Sequence, residues 1–220
     1  MKSMSNKTKP IVVIVIAVIA AAGIAMYLSR QSAGSPTGSN GSLASSGGGH
    51  VRGNSSAPVT LVEFGDFQCP SCRYYHPIVD ELVRRYPDKV KLEFHNYPLV
   101  QMHAHALDAA MAAEAAGNQG KYWEMHDMLY DHQNEWDKLP NTDAQFLAYA
   151  GSLGLDANKF MHDMKSQDVQ NRILEDIQLG SAAKVQGTPT FFIDGQALDP
   201  SPNGVDAFAA IVNTKLQASK

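Results

Sequence analysis

Cys69 and Cys72 are the only two cysteines in 220 residues, and they sit three apart in the run Phe-Gln-Cys-Pro-Ser-Cys, directly after the apolar stretch Val59 to Phe64. A bridge at that spacing closes one very small loop, which removes little entropy from the unfolded chain and staples nothing distant. Any fold of this chain must therefore be held by an ordinary hydrophobic core, and the cysteines are left for chemistry. Two chemistries use such a pair: disulfide exchange and half of a metal site. His76, on the helix that should follow, offers a third zinc ligand, but a closed structural site wants four and no second C-x-x-C exists to complete it. A strand before the motif, Pro70 at the first helical position and a Gly-Thr-Pro-Thr run far downstream favour redox.

Persistence of a protein disulfide needs an oxidising compartment, and the N-terminus points to one. Ile11 to Leu28 form 18 consecutive uncharged positions rich in Ile, Val and Ala. At helical rise they span about 27 Å, close to a bilayer core. Lys2, Lys7 and Lys9 precede the run and Arg30 alone follows closely, which by the positive-inside rule leaves the N-terminus in the cytoplasm and everything after the run outside. The competing reading is a cleaved signal peptide with Ala20-Ala21-Ala22 as its site; the length of the run favours a retained anchor. Residues 29–57 are dominated by Ser, Gly, Asn and Pro and read as a flexible tether with a reach of about 30 Å, or as a spacer of no selected length.

Residues 58–220 are enough for one domain. All 22 acidic residues lie there against 13 Lys and Arg, a net of −9, which argues against nucleic-acid binding. Val59 to Phe64 is apolar on both parities, as a strand buried on both faces reads, with Glu63 interrupting it. Helical spacing runs from Pro70 to Tyr86, with Pro77 expected to kink it, and Lys89 to Phe94 alternates as a second strand. Residues 103–184 carry helix signals and no convincing strand: an alanine-rich segment to Ala116, an apolar stripe from Tyr122 to His132, capping-box spacing at Thr142 and Gln145, a stop and new N-cap at Leu153 to Asp156, and a long helix from Asp168. Thr190 to Ile193, the turn Asp194-Gly195 and Gln196 to Leu198 form a hairpin, and Val205 to Leu216 a closing helix.

Four separated blocks in this order, Val-Glu-Phe-Gly-Asp-Phe-Gln-Cys-Pro-Ser-Cys (62–72), Asn-Tyr-Pro-Leu (96–99), Gln-Gly-Lys-Tyr-Trp-Glu-Met-His-Asp (119–127) and Val-Gln-Gly-Thr-Pro-Thr-Phe-Phe-Ile-Asp-Gly (185–195), resemble the DsbA-like branch of the thioredoxin superfamily, and within it the membrane-anchored bacterial thiol-disulfide oxidoreductases. The resemblance implies an α/β thioredoxin fold with a helical domain inserted at about 103–184, disulfide exchange in exported proteins, and a cis Thr188-Pro189 bond packed against the cysteines. It departs in one place. Pro70-Ser71 stands between the cysteines where the strongly oxidising members often carry Pro-His, so the potential is open.

Residue by residue, Cys69 falls where a strand hands over to a helix, so unpaired N–H groups and the positive end of the helix dipole face its sulfur and favour the thiolate. Pro70 suits the first helical position. Cys72 lies one turn on and tucked under, which makes Cys69 the exposed sulfur that clients attack. Beside Pro189, the Thr188 backbone groups would pair with an extended client segment, and Pro70 and Ser71 would line the same contact; the plain alternative is a turn proline. Glu63, in a buried strand six residues before Cys69, should have a raised pKa and relay a proton for Cys72, unless it faces solvent at an edge. His95, His103, His105 and His126 invite a metal reading, but His103 and His105 do not have helical spacing, and these residues read as scattered surface histidines with no metal expected. Tyr122 and Trp123 should pack the inserted domain; Trp136 has no assigned role.

The function expected is a membrane-tethered oxidoreductase with no cofactor beyond the Cys69–Cys72 disulfide, acting as a monomer on folding exported proteins and recharged by a membrane redox partner. A reductase or isomerase of the same fold stays open, as does a non-catalytic chaperone whose cysteines are incidental.

Overall fold

The structure, a computed structural model, describes residues 48–218. The expected anchor and residues 29–47 of the expected linker lie outside the described residues; among those described, no helix is long and apolar enough to cross a membrane.

A five-stranded sheet organises the domain. Its strands are β1 (His50–Gly53), β2 (Val59–Gly65), β3 (Val90–Asn96), β4 (Thr190–Ile193) and β5 (Gln196–Ala197), in spatial order β1-β3-β2-β4-β5. β2 and β3 pair in parallel, Glu63 opposite Phe94, because the helix α1 (Pro70–Arg85) between them returns the chain to the same end. The other pairings are antiparallel, with Glu63 opposite Phe191 and Phe64 opposite Thr190 across β2 and β4. β4 turns into β5 at Asp194 and Gly195, both at positive φ (46° and 79°), the backbone that a two-residue hairpin needs.

Alternation along β2 sends its residues to two cores. Val59 and Leu61 join Val79, Leu82, Phe191 and Phe208 beneath α1 and the closing helix α8 (Val205–Ala218). Val62 and Phe64 join Phe192 and Val185 on the opposite face. Glu63 shares the parity of Val59 and Leu61, so a carboxyl points to the side where α1 packs.

Six helices separate β3 from β4: α2 (Ala106–Gly117), α3 (Tyr122–Asp131), α4 (Gln133–Trp136), α5 (Asp143–Ser152), α6 (Ala157–Met164) and α7 (Gln167–Ala182). The alanines of α2 let α3 and α6 approach closely around Met125, Leu129, Phe146 and Phe160. Trp136 fills this core with no exposed surface and donates its indole N–H to the Leu129 carbonyl at 2.9 Å. Asp156 and Ser166 cap α6 and α7 by accepting from Lys159 N and Val169 N.

Three expectations need correction. The tether does not reach Pro58: His50–Gly53 pairs antiparallel with β3, held by His50 stacked on Tyr122 and by the Trp123 indole donating to the Val51 carbonyl. Thr142 forms no capping box, and its hydroxyl is buried without a partner among the described residues. The histidines are not scattered over the surface. His95 and His126 are buried, and His103 bonds Asp66, because each has a carboxylate partner that the sequence places far from it or that periodicity does not reveal.

Candidate active site

β2 ends at Gly65, the loop Asp66 to Gln68 follows, and Cys69 is the N-cap of α1 with extended backbone (φ −73°, ψ 122°). Pro70 takes the first helical position, where its missing N–H has no partner to lose. The N–H groups of Ser71 and Cys72 face the Cys69 sulfur. Cys69 keeps 7% of its surface and Cys72 none. The sulfur expected to be exposed is thus largely covered, because the Thr188-Pro189 loop lies against it, with the Thr188 carbonyl 3.3 Å from Sγ. Pro70 and Ser71 are exposed. The Thr188-Pro189 bond is cis, as is Asp199-Pro200.

The two sulfurs are electrostatically unlike. The Cys72 thiol beside it, then the Thr188 hydroxyl and the helix-start amides, outweigh partial burial and bring the Cys69 thiol from 9.0 down to about 5. That hydroxyl has no other partner among the described residues, so it is free to turn towards a thiolate. Burial pushes Cys72 well above its ordinary value, and the charges of Cys69 and Glu63 add to the shift. The Asp66 N–H, 3.5 Å from the Cys72 sulfur, works weakly the other way.

Glu63 is 3% exposed, which rejects the edge-facing alternative. Burial, then the neighbouring Cys69 charge, raise its pKa from 4.5 to about 8 against a small opposing pull from Arg52. At neutral pH it is a protonated acid within electrostatic reach of Cys72, the sulfur that needs a proton.

Three residues hold this geometry and had escaped notice in the sequence. The buried Asp66 carboxylate accepts from Gln68 N (2.8 Å), Leu99 N (2.9 Å) and His103 Nδ1 (2.7 Å), tying the cysteine loop to the chain after β3. Gln68 accepts from His105 N and donates to the Asp137 carbonyl, both at 2.7 Å. Gln133 donates to the carbonyls of Phe67 (2.7 Å) and Cys69 (3.2 Å). Apart from the local Gln68 N bond, these contacts cross 33 to 69 residues, and all but the Asp66–His103 pair run from a side chain to the backbone, so no periodicity marks them. Against the cis proline runs a groove of about 400 Å³ lined by Lys184, Gln186, Pro189, Thr190, Leu198 and Asp199.

Comparison with known proteins agrees with this architecture. The chain is 40% identical over 171 residues to the Na(+)/H(+) antiporter NhaA 1 of Salinispora arenicola, a match over 78% of this chain that spans only 25% of that protein's length. Among solved structures, a thioredoxin-like oxidoreductase from Silicibacter pomeroyi is 28% identical with a TM-score of 0.66, covering 78% of this chain and 94% of that one. The thiol-disulfide exchange protein α-DsbA2 of Wolbachia pipientis shares the fold at 22% identity and a TM-score of 0.65, over 76% of this chain and 86% of its own. A family model described as thioredoxin matches residues 45–214, the same span that carries the sheet, the C-x-x-C helix start and the cis proline, and the chain belongs to that family.

Proposed function

We propose that this chain is a protein thiol-disulfide oxidoreductase that introduces disulfides into exported proteins. The observation that carries the reading is the asymmetry of the pair: a Cys69 thiol lowered to about 5 beside a Cys72 thiol raised well above 9.0. A client thiolate attacks Cys69 Sγ of the oxidised pair, forming a client–Cys69 disulfide and breaking the Cys69–Cys72 bond. The electron pair of that bond goes to Cys72 Sγ, which as a poor thiolate takes the proton that Glu63 holds. A second client thiolate then attacks the client sulfur of the mixed disulfide and expels Cys69 as a stable thiolate. Two electrons have moved from client to protein, and the good leaving group is the sulfur that must leave. Thr188 and Pro189 would pair with an extended client segment beside Cys69, and the exposed Pro70 and Ser71 would line the same contact.

A membrane partner that reoxidises the pair, monomeric action, and tethering through Ile11 to Leu28 outside the cytoplasm belong to the same proposal. The antiporter relatives share a quarter of their length with this chain, so the reading rests on the thiol site and not on ion exchange. Equilibration of the purified protein against glutathione buffers tests it. An equilibrium constant favouring the reduced pair over an unstrained peptide disulfide supports an oxidase, whereas an oxidised pair under the same conditions makes the protein a reductase. A protein that moves no electrons to or from a dithiol client would be the non-catalytic chaperone.

A further inference from the structure

His76 of α1 meets His126, Asp127 and Asp131 of α3. His76 Nε2 lies 3.9 Å from Asp127 Oδ1 and 3.7 Å from Asp131 Oδ1, and His126 Nδ1 lies 2.9 Å from Asp127 Oδ1. One ligand atom from each of His76, His126 and Asp127 falls within 4.8 Å of the other two. Ligand bonds of about 2.0–2.2 Å in a tetrahedron put ligand atoms roughly 3.4 Å apart. The His76–Asp127 and His76–Asp131 separations lie within about half an ångström of that, and Asp131, exposed and outside the three-residue cluster, would complete the shell by turning its side chain. We propose that His76, His126, Asp127 and Asp131 form a site for a divalent transition-metal ion of the zinc class, joining the redox helix to the inserted helical domain.

His126 is the independent observation. It is 3% exposed, and its Nε2 has no hydrogen-bond partner among the described residues. Around it stand Phe67, Phe94, Trp123 and Tyr130, with ring centroids 4.8 to 5.4 Å away and planes steeply crossed. Nδ1 is hydrogen-bonded to Asp127 Oδ1, so Nε2 is the ring nitrogen left without a partner, and a bound cation would supply one.

Arg52 is the competitor. Its guanidinium donates to Asp127 Oδ1 at 2.5 Å and to Asp80 at 2.8 Å, and lies 4.3 Å over the Trp123 ring. Asp80 and Trp123 remain to hold it when Asp127 turns to a metal, but its charge opposes a dication and keeps the affinity modest.

The test uses the full chain in detergent micelles, with the Cys69–Cys72 disulfide closed so that no thiol takes the metal. The metal-stripped protein is titrated with Co²⁺, read by its visible absorption, and then with Zn²⁺ in competition. His76→Gln and Asp131→Asn are measured in parallel; Asp131 is exposed, so its substitution leaves folding intact whatever becomes of His76. Uptake of about one Co²⁺ per chain that either substitution weakens about tenfold or more is the expected result. No uptake, or uptake that neither substitution weakens, overturns the site. Because the thiols are blocked throughout, the outcome is independent of the direction in which the couple works.

Discussion

Glu63→Gln should stabilise this domain, and by an amount that depends on pH in a way only a buried carboxyl can produce. In the folded protein the carboxyl keeps its proton up to about pH 8, while in the unfolded chain it ionises at its ordinary 4.5. Above 4.5 the unfolded state binds fewer protons than the folded one, so folding stability falls as pH rises until the folded group also ionises near 8. At pH 7 the gap is about 2.5 pH units, and at 1.36 kcal/mol per unit the wild-type chain forgoes about 3 kcal/mol. Glutamine keeps the shape and never ionises. Its own burial adds a constant that is the same at every pH, so the variant-minus-wild-type difference should be small and flat below pH 4.5 and climb by about 3 kcal/mol to pH 7. With urea slopes of about 1–3 kcal/mol per molar, the midpoints should separate by roughly 1–3 M over that range. The gain is smaller in the oxidised form, because the Cys69 thiolate supplies part of the shift. Urea titrations of both proteins between pH 4 and 8 decide it. A difference that stays level across the range would mean Glu63 ionises as usual, and with it would go its role as proton donor to Cys72; turnover of the variant should otherwise slow.

Titration of the reduced protein by thiolate absorbance should show one cysteine ionising near pH 5 and none other below pH 9, with Thr188→Val moving the first midpoint upward. Cys72→Ser should accumulate mixed disulfides with client proteins and Cys69→Ser should not; the reverse pattern on non-reducing gels would exchange their roles. His95 is buried between Asp176 (2.6 Å) and Glu93 (3.0 Å), which overcome its burial and raise its pKa to about 9. Its contribution is full below the unfolded value of 6.5 and is lost as pH rises through 9, so His95→Gln should cost more stability at pH 6 than at pH 10 in thermal melts.

The sequence made the thiol site legible because its parts are local. A strand, an N-cap cysteine, a first-position proline and a second cysteine one turn on occupy one continuous stretch; Glu63 in the strand before them stayed open between a buried and an edge position until the structure buried it. The succession of strands and helices from β2 onward, with a run of helices between β3 and β4, followed from periodicity for the same reason. What stayed hidden depends on partners distant in the chain. His50–Gly53 has the composition of a tether and becomes a strand only because β3 offers an open edge and Tyr122 and Trp123 a surface to lie on. His95 reads as a surface residue until Asp176, 81 positions later, closes on its ring. Asp66, Gln68 and Gln133 work mainly through backbone groups, which carry no sequence signal, and the one side-chain partner among them, His103 on Asp66, lies 37 residues away.

Cys69 and Glu63 pull the pH dependence of the reduced domain in opposite directions. A thiol whose folded pKa is about 5 and whose ordinary value is 9.0 adds stability that is complete above 9.0 and fades as pH falls through 5. Glu63 removes stability as pH rises from 4.5 to about 8. Across roughly pH 5 to 8 the two slopes are opposite in sign and similar in size, so the reduced domain should change little. Closing the disulfide deletes the Cys69 slope and leaves that of Glu63. The oxidised domain should therefore weaken with rising pH while the reduced one holds, and the gap between them should widen in favour of the reduced form. Cys69 is not fully buried, so solvent screening makes the widening less than the full slope. That gap is the oxidising strength of the couple relative to an ordinary disulfide, since about 1.4 kcal/mol corresponds to about 30 mV for two electrons. Urea midpoints of both redox forms at pH 5 and pH 8 measure it directly. Profiles that run parallel would show that the Cys69 thiolate stabilises nothing in the folded state, and the oxidase reading would lose its physical basis.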